Sequence, residues 1–154
     1  MKTSAGLLLF RERDDGELEV LLGHMGGPLW ARKDDGAWSV PKGELEAGEE
    51  PLAAALREFA EELGQAPPAG DVVELGEIRQ KGGKRVIAFA LRGDFDPETI
   101  VPGRFELQWP PRSGRLQSFP EVDRVAWLDL QTASTKIVRG QVELLERLAK
   151  SVGT

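Results

Sequence analysis

Three glutamates on one turn of a predicted helix constrain this chain more than any other feature. In the segment GELEAGEEPLAAALREFAEELGQ, Gly43 to Gln65, Glu58, Glu61 and Glu62 stand at i, i+3 and i+4 and converge on one patch of helix surface. Pro51 suits the first helical position, where its missing N–H has no partner in any case. Leu52, Ala55, Leu56, Phe59 and Leu63 recur at helical spacing as a buried stripe, and Gly64 supplies the stop. Like charges at this spacing repel, and Glu61 and Glu62 also face the negative end of the helix dipole. Each effect costs about a few tenths of a kcal/mol, and all fall on the same residues. A divalent cation would reverse the sign of every one of them. The competing reading is a solvated acidic face, which is what most charge runs are.

The residues around these glutamates separate the two readings. Gly43, Glu49, Arg57, Glu58, Glu61, Glu62 and Gly64 occupy every fixed position of the box of the Nudix hydrolases, which this segment resembles. Gln65 stands where that box has an apolar residue, and Phe59 is aromatic where an aliphatic one is more usual. The resemblance implies an α/β (α+β) fold, the Nudix α/β/α sandwich with a mixed β-sheet. It also implies metal binding by Glu58, Glu61, Glu62 and the backbone carbonyl of Gly43, with Glu61 as ligand or base. Arg57, with Glu49, is implied to orient the ligands.

Elsewhere the chain reads as one domain over residues 1–154, long enough for one core and short for two. It has no cysteine, which fits a reducing compartment, and the apolar run Leu7 to Phe10 is too short for a leader or a membrane span. A cytoplasmic location is therefore expected, with no membrane partner. A net charge of −6 argues against binding duplex DNA but not against phosphates held through a metal. No apolar stripe marks a subunit interface, although the resemblance allows a homodimer.

Alternation and turn residues predict strands at Ala5 to Phe10, Leu18 to Leu22, Trp38 to Val40, Val72 to Ile78, Val86 to Leu91 and Val125 to Leu128. The glycine-rich stretch from His24 to Ala37 reads as loop. So does most of Arg92 to Pro120, with a short strand at Phe105 to Trp109. A final helix is expected from Ala133 to Lys150, burying Ile137, Val138, Leu144, Leu145 and Leu148.

Outside the box, Lys42, Arg32 and Lys33 are either phosphate contacts or ordinary exposed cations. His24, the only histidine, is either structural or a substrate contact. Trp38 is a further candidate substrate contact, and with Trp30 and Trp109 it is a candidate to stack on a base. Lys81, Lys84 and Arg85 read as a solvated hairpin tip. Glu121 and then Glu106 are the candidates for the further loop glutamate that some Nudix members use as ligand or base.

The function expected from the resemblance is Mg²⁺-dependent hydrolysis of a pyrophosphate bond, with Mn²⁺ as a substitute. The substrate expected is a small-molecule nucleoside di- or polyphosphate derivative, a nucleoside triphosphate or dinucleoside polyphosphate being favoured. The alternative is a Nudix-like domain that binds nucleotide without cleaving it; such a domain is expected to lose box carboxylates, and all are present here. The absence of tyrosine departs from the usual dinucleoside polyphosphate pocket.

Overall fold

The run Leu7 to Phe10 lies inside strand β1 (Thr3–Glu12) and is buried throughout because both faces of that strand are covered. The computed structural model describes residues 2–152. On one face of β1, Ala5, Leu7 and Leu9 pack with Ala54, Ala55, Phe59 and Leu63 of helix α1 (Pro51–Leu63). On the other, Leu8 and Phe10 join Ala133, Ile137, Leu144, Leu145 and Leu148 from the C-terminal helices. The period-two alternation of one strand thus separates two core layers, and the fold is an α/β/α sandwich.

After β2 (Leu18–Met25) come β3 (Trp38–Ser39) and β4 (Lys42–Glu44), then α1, β5 (Val72–Arg79) and β6 (Arg85–Arg92). A hairpin of β7 (Arg104–Gln108) and β8 (Leu116–Pro120) leads to β9 (Val122–Asp129) and the helices α2 (Leu130–Lys136) and α3 (Val142–Ser151). The main sheet is mixed: β1 runs parallel to β6 and antiparallel to β2, while β9 pairs antiparallel with β2.

A splay in this sheet positions the box. β1 and β2 pair only where Phe10, Arg11 and Glu12 face Val20, Glu19 and Leu18. Beyond that the strands part. β4 takes the freed edge of β1, with Gly43 opposite Ala5, and β3 takes the freed edge of β2, with Ser39 opposite Gly23. The N–H of Leu7 donates to the Pro41 carbonyl at 3.1 Å and closes the wedge. Lys42 and Gly43 are held in the splay, on the face that α1 covers.

Two expectations are corrected. The C-terminal helix is two helices, because Ile137 is extended at the end of α2 and bridges Trp38, while the N–H of Val138 donates to the Trp38 carbonyl at 2.8 Å. The strand expected at Phe105 to Trp109 is β7, but Leu116–Pro120, expected as loop, is the strand β8 that pairs with it in a two-stranded sheet. Among the described residues no helix is long and apolar enough to cross a membrane.

Candidate active site

Gly43 is glycine because Glu58 occupies the space its side chain would need. A Cβ built there would sit 2.1 Å from the Glu58 carboxyl carbon. β4 and α1 therefore meet with the Glu58 carboxylate pressed on the Gly43 backbone. Arg57 secures this contact from the side. Its Nε and Nη2 donate to the two oxygens of Glu49 at 2.7 and 2.8 Å, Nη1 donates to Glu58 at 2.8 Å and to Glu61 at 3.1 Å, and Nη2 reaches the Glu44 carbonyl at 3.2 Å. The fork holds the Glu49 carboxyl down to about 2, helped by a hydrogen bond from the N–H of Glu46.

Glu62 has the opposite environment. Burial pushes its carboxyl up to about 8, with Glu121 and Glu58 adding repulsion that Lys42 only partly offsets. Among the described residues it makes no salt bridge. Burial also raises the Glu58 carboxyl, which Arg57 opposes, and raises that of Glu121, which Glu61 reinforces. Lys42 is lowered by burial against the pull of Glu62.

Glu121 reaches this group through the end of α1. The last carbonyls of a helix need donors. Here the N–H of Val101 serves Leu63 at 2.8 Å and the N–H of Gly103 serves Glu62 at 3.1 Å. The Gly103 carbonyl then accepts from the N–H of Glu121 at 2.8 Å, so the segment that caps the box helix also brings in the fourth glutamate. A cleft of about 290 Å³ opens beside them, lined by Met25, Trp30, Phe105, Lys42, Glu62 and Glu121 among others. Its chemistry is a carboxylate-rich floor with one cation below partly aromatic walls, which suits a phosphorylated compound carrying a flat base.

The family model for the NUDIX domain matches residues 2–148. The chain belongs to the Nudix family. An RNA pyrophosphohydrolase of Halorhodospira halophila is 34% identical over 122 residues, which cover 68% of this chain and 60% of that protein. One from Aeromonas hydrophila is 30% identical over 139 residues, covering 85% of this chain and 78% of that protein. The chain therefore spans less than two thirds of the length of the first of these relatives. Among solved structures, the NUDIX domain of Shewanella oneidensis NrtR complexed with ADP ribose has a TM-score of 0.64 at 18% identity, covering 97% of this chain and 87% of that one. An Ap4A hydrolase of C. elegans has a TM-score of 0.60 at 20% identity, covering 99% of this chain and 98% of that one. At these identities the structures share the Nudix fold.

The Nudix box residues Gly43, Arg57, Glu58, Glu61 and Glu62 come together with Lys42 and Glu121. Among the described residues no three acidic or histidine side chains surround a single cation position, and Arg57 holds Glu58 and Glu61 on the side facing Glu49. Other candidates fall away. His24 is fully buried; its Nε2 donates to the Lys33 carbonyl at 2.6 Å and its Nδ1 faces the Asp123 carboxylate at 2.9 Å, leaving neither nitrogen for a substrate. Trp38 is a core residue whose Nε1 donates to Asp34 at 2.8 Å. Arg32 and Lys33 are exposed and do not line the cleft, although Lys33 Nζ lies 5.1 Å over the Trp30 ring. Glu106 is exposed on β7, opposite Ser118 and outside the cleft lining.

Sequence reasoning missed Met25, Gly26, Phe105 and Val122 as cleft residues. The usable signal was the pair Gly26 and Gly27 directly after a strand, which marks a close backbone approach. A Cβ on Gly26 would lie 2.0 Å from the Pro120 carbonyl oxygen, and one on Gly27 would lie 2.9 Å from the Phe105 ring.

Proposed function

We propose that this Nudix chain is a pyrophosphohydrolase of nucleoside 5′-polyphosphates that depends on Mg²⁺, with Mn²⁺ as a substitute. The observation that carries the reading is Glu62, a half-buried carboxylate with no ion-pair partner among the described residues, crowded by Glu58 and Glu121 at the floor of the cleft. A hard cation supplies the charge this group lacks, and the donors around it are all oxygen. Glu58, Glu61, Glu62 and the Gly43 carbonyl are the residues that would hold it. When bound, the cation neutralises the polyphosphate and acts as a Lewis acid at phosphorus.

The chain's own residues do the rest. Arg57, fixed by Glu49, keeps Glu58 and Glu61 turned to one side. Lys42 offers its ammonium to a phosphate oxygen from the cleft floor. Glu121 takes the proton of the attacking water; the water oxygen bonds to phosphorus as the bridging P–O bond breaks, and the leaving phosphate takes that electron pair. A carboxyl raised by burial is better matched to accepting a proton near neutral pH. Met25, Trp30 and Phe105 enclose the base. The relatives in Halorhodospira halophila and Aeromonas hydrophila, both RNA pyrophosphohydrolases, support a nucleoside 5′-polyphosphate as the substrate class. We place the reaction in the cytoplasm, which suits a chain without cysteine.

The test is hydrolysis of nucleoside triphosphates, dinucleoside polyphosphates, ADP-ribose and nucleotide sugars, with the nucleotide and phosphate products resolved by chromatography, with Mg²⁺ and with chelator. Turnover of a nucleoside polyphosphate that stops on chelation is expected. Tight nucleotide binding without turnover of any compound would favour a binding domain instead.

A further inference from the structure

Among the described residues the hairpin β7–β8 pairs with nothing but itself, yet its base is built into the site. Gly103, just before it, hydrogen-bonds the Glu62 carbonyl, and Glu121, just after it, lines the cleft. Register places Phe105 opposite Phe119 and Leu107 opposite Gln117, so these four share one face. Trp109 continues that face, tied to Arg115 by a backbone hydrogen bond of 3.0 Å. Phe105 wall-papers the cleft, and its ring centroid lies 6.1 Å from that of Phe119. Four residues on, about 13 Å along the strand, Trp109 stands half-buried at the far end. The row Phe105, Leu107, Trp109 leads outward from the cleft, each residue half-buried.

Charge follows the same arm. The chain carries −6 overall, and most of its arginines are paired to carboxylates. Five arginines make no ion pair among the described residues, and three of them, Arg104, Arg112 and Arg115, lie on this hairpin against a single carboxylate, Glu106; Arg104 is turned onto Ser118, to which it donates at 2.8 and 2.9 Å, so Arg112 and Arg115 carry the charge of the tip. The tip is ordered rather than loose. The N–H of Arg112 donates to Gln108 Oε1 at 3.0 Å, the N–H of Arg115 donates to Ser113 Oγ at 3.1 Å, and Gln117 Nε2 donates to the Trp109 carbonyl at 2.6 Å. Arg112 is the one non-glycine residue with positive φ, 63°, among the described residues. A bulky cation kept in that conformation at an exposed tip is a reason to look for a ligand there.

We infer that the hairpin is an arm for single-stranded nucleic acid, which receives the nucleotides following the one in the cleft. The substrate class is then the 5′-polyphosphorylated end of an oligonucleotide rather than a free nucleotide. Aromatic faces stack on bases of any sequence and the Arg112 and Arg115 guanidinium groups meet the backbone phosphates, which is the combination single strands require. The acidic remainder of the surface keeps duplexes away. This inference rests on the proposed hydrolase activity for its meaning, but its site lies outside the box.

The test compares wild type with Arg112→Asn/Arg115→Gln and with Trp109→Ala. Asparagine tolerates the positive φ of position 112, and circular dichroism checks that each variant folds. Mg²⁺-dependent hydrolysis is measured on a nucleoside triphosphate and on 5′-triphosphorylated single strands of increasing length. In wild type, kcat/KM is expected to rise about tenfold or more with length; each variant should lose most of that gain and stay within about twofold of wild type on the mononucleotide. Binding of a 3′-labelled strand in chelator is followed by fluorescence anisotropy. Affinity should fall about tenfold in the double variant, and the log–log salt slope should become shallower by about 1.4 for two lost phosphate contacts. Length-independent hydrolysis with unchanged strand binding would overturn the arm while leaving the hydrolase intact, and would turn attention to a protein partner. Arm-dependent strand binding without hydrolysis of any compound would support the arm and sink the hydrolase.

Discussion

Arg57 grips Glu49 through two parallel hydrogen bonds of 2.7 and 2.8 Å, and the same guanidinium reaches Glu58 and Glu61. Glu49 lies before the helix and the other two lie on it, so one side chain ties the loop to the acidic face. Only a planar fork can serve three carboxylates in this way. Arg57→Lys, which keeps the charge and loses the fork, is expected to lower metal affinity or kcat/KM about 10- to 100-fold, and Glu49→Gln to fall in the same range. Metal titration and steady-state kinetics on both variants check this; a lysine variant with wild-type values would refute the orienting role.

Gly43→Ala should separate packing at the site from stability of the fold. Its Cβ would meet the Glu58 carboxylate at 2.1 Å, and a carboxylate is the far end of a side chain that can move. The expected result is a folded protein whose melting temperature changes by only a few degrees while activity drops about tenfold or more, since displacement of a reacting group by about 1 Å is costly. Equal loss of activity and of folded protein would assign Gly43 to architecture alone.

Much of this arrangement was legible in the sequence because it rests on short-range rules. The box fixed the helix, its stop at Gly64 and the contact partners of Arg57, and alternation found β1, β2, β5 and β6 to within a few residues. What stayed hidden depends on long-range partners. β4 is three residues long and exists because β1 offers it an edge. β8 is five residues long and has no fully buried position, so it has no buried face to print a period on the sequence. The break between α2 and α3 comes from the bridge between Ile137 and Trp38, and both Ile137 and Val138 are apolar enough to continue a helical stripe. His24 and Trp38 read as open candidates because burial and the Asp123 and Asp34 partners appear only in three dimensions.

The two shifted glutamates give opposite pH dependences in the metal-free protein. The Glu62 carboxyl is raised from 4.5 to about 8, so the folded state holds a proton that the unfolded chain releases, and stability falls as pH rises from about 4.5 through about 8. The Glu49 carboxyl is lowered to about 2, so its contribution is present above about 4.5 and is lost as pH falls through about 2. In chelator, Glu62→Gln should melt several degrees above wild type near pH 8 and close to it near pH 5. Thermal melts at both pH values check this, and a variant that gains nothing at the higher pH would show that Glu62 is not strained.

Glu121 lies outside the box and lines the cleft without an ion pair among the described residues. As the proton acceptor, its replacement in Glu121→Gln should lower kcat about 10²- to 10⁴-fold while metal affinity stays within a few fold. Loss of metal affinity in proportion to kcat would make it a ligand instead.

Mn²⁺ titration followed by electron paramagnetic resonance tests most directly whether Glu62 serves a cation. Wild type should bind Mn²⁺ in competition with Mg²⁺, and Glu62→Gln, folded and more stable in chelator, should bind it at least about tenfold more weakly. Equal binding by the two proteins, or none by wild type, would contradict the account.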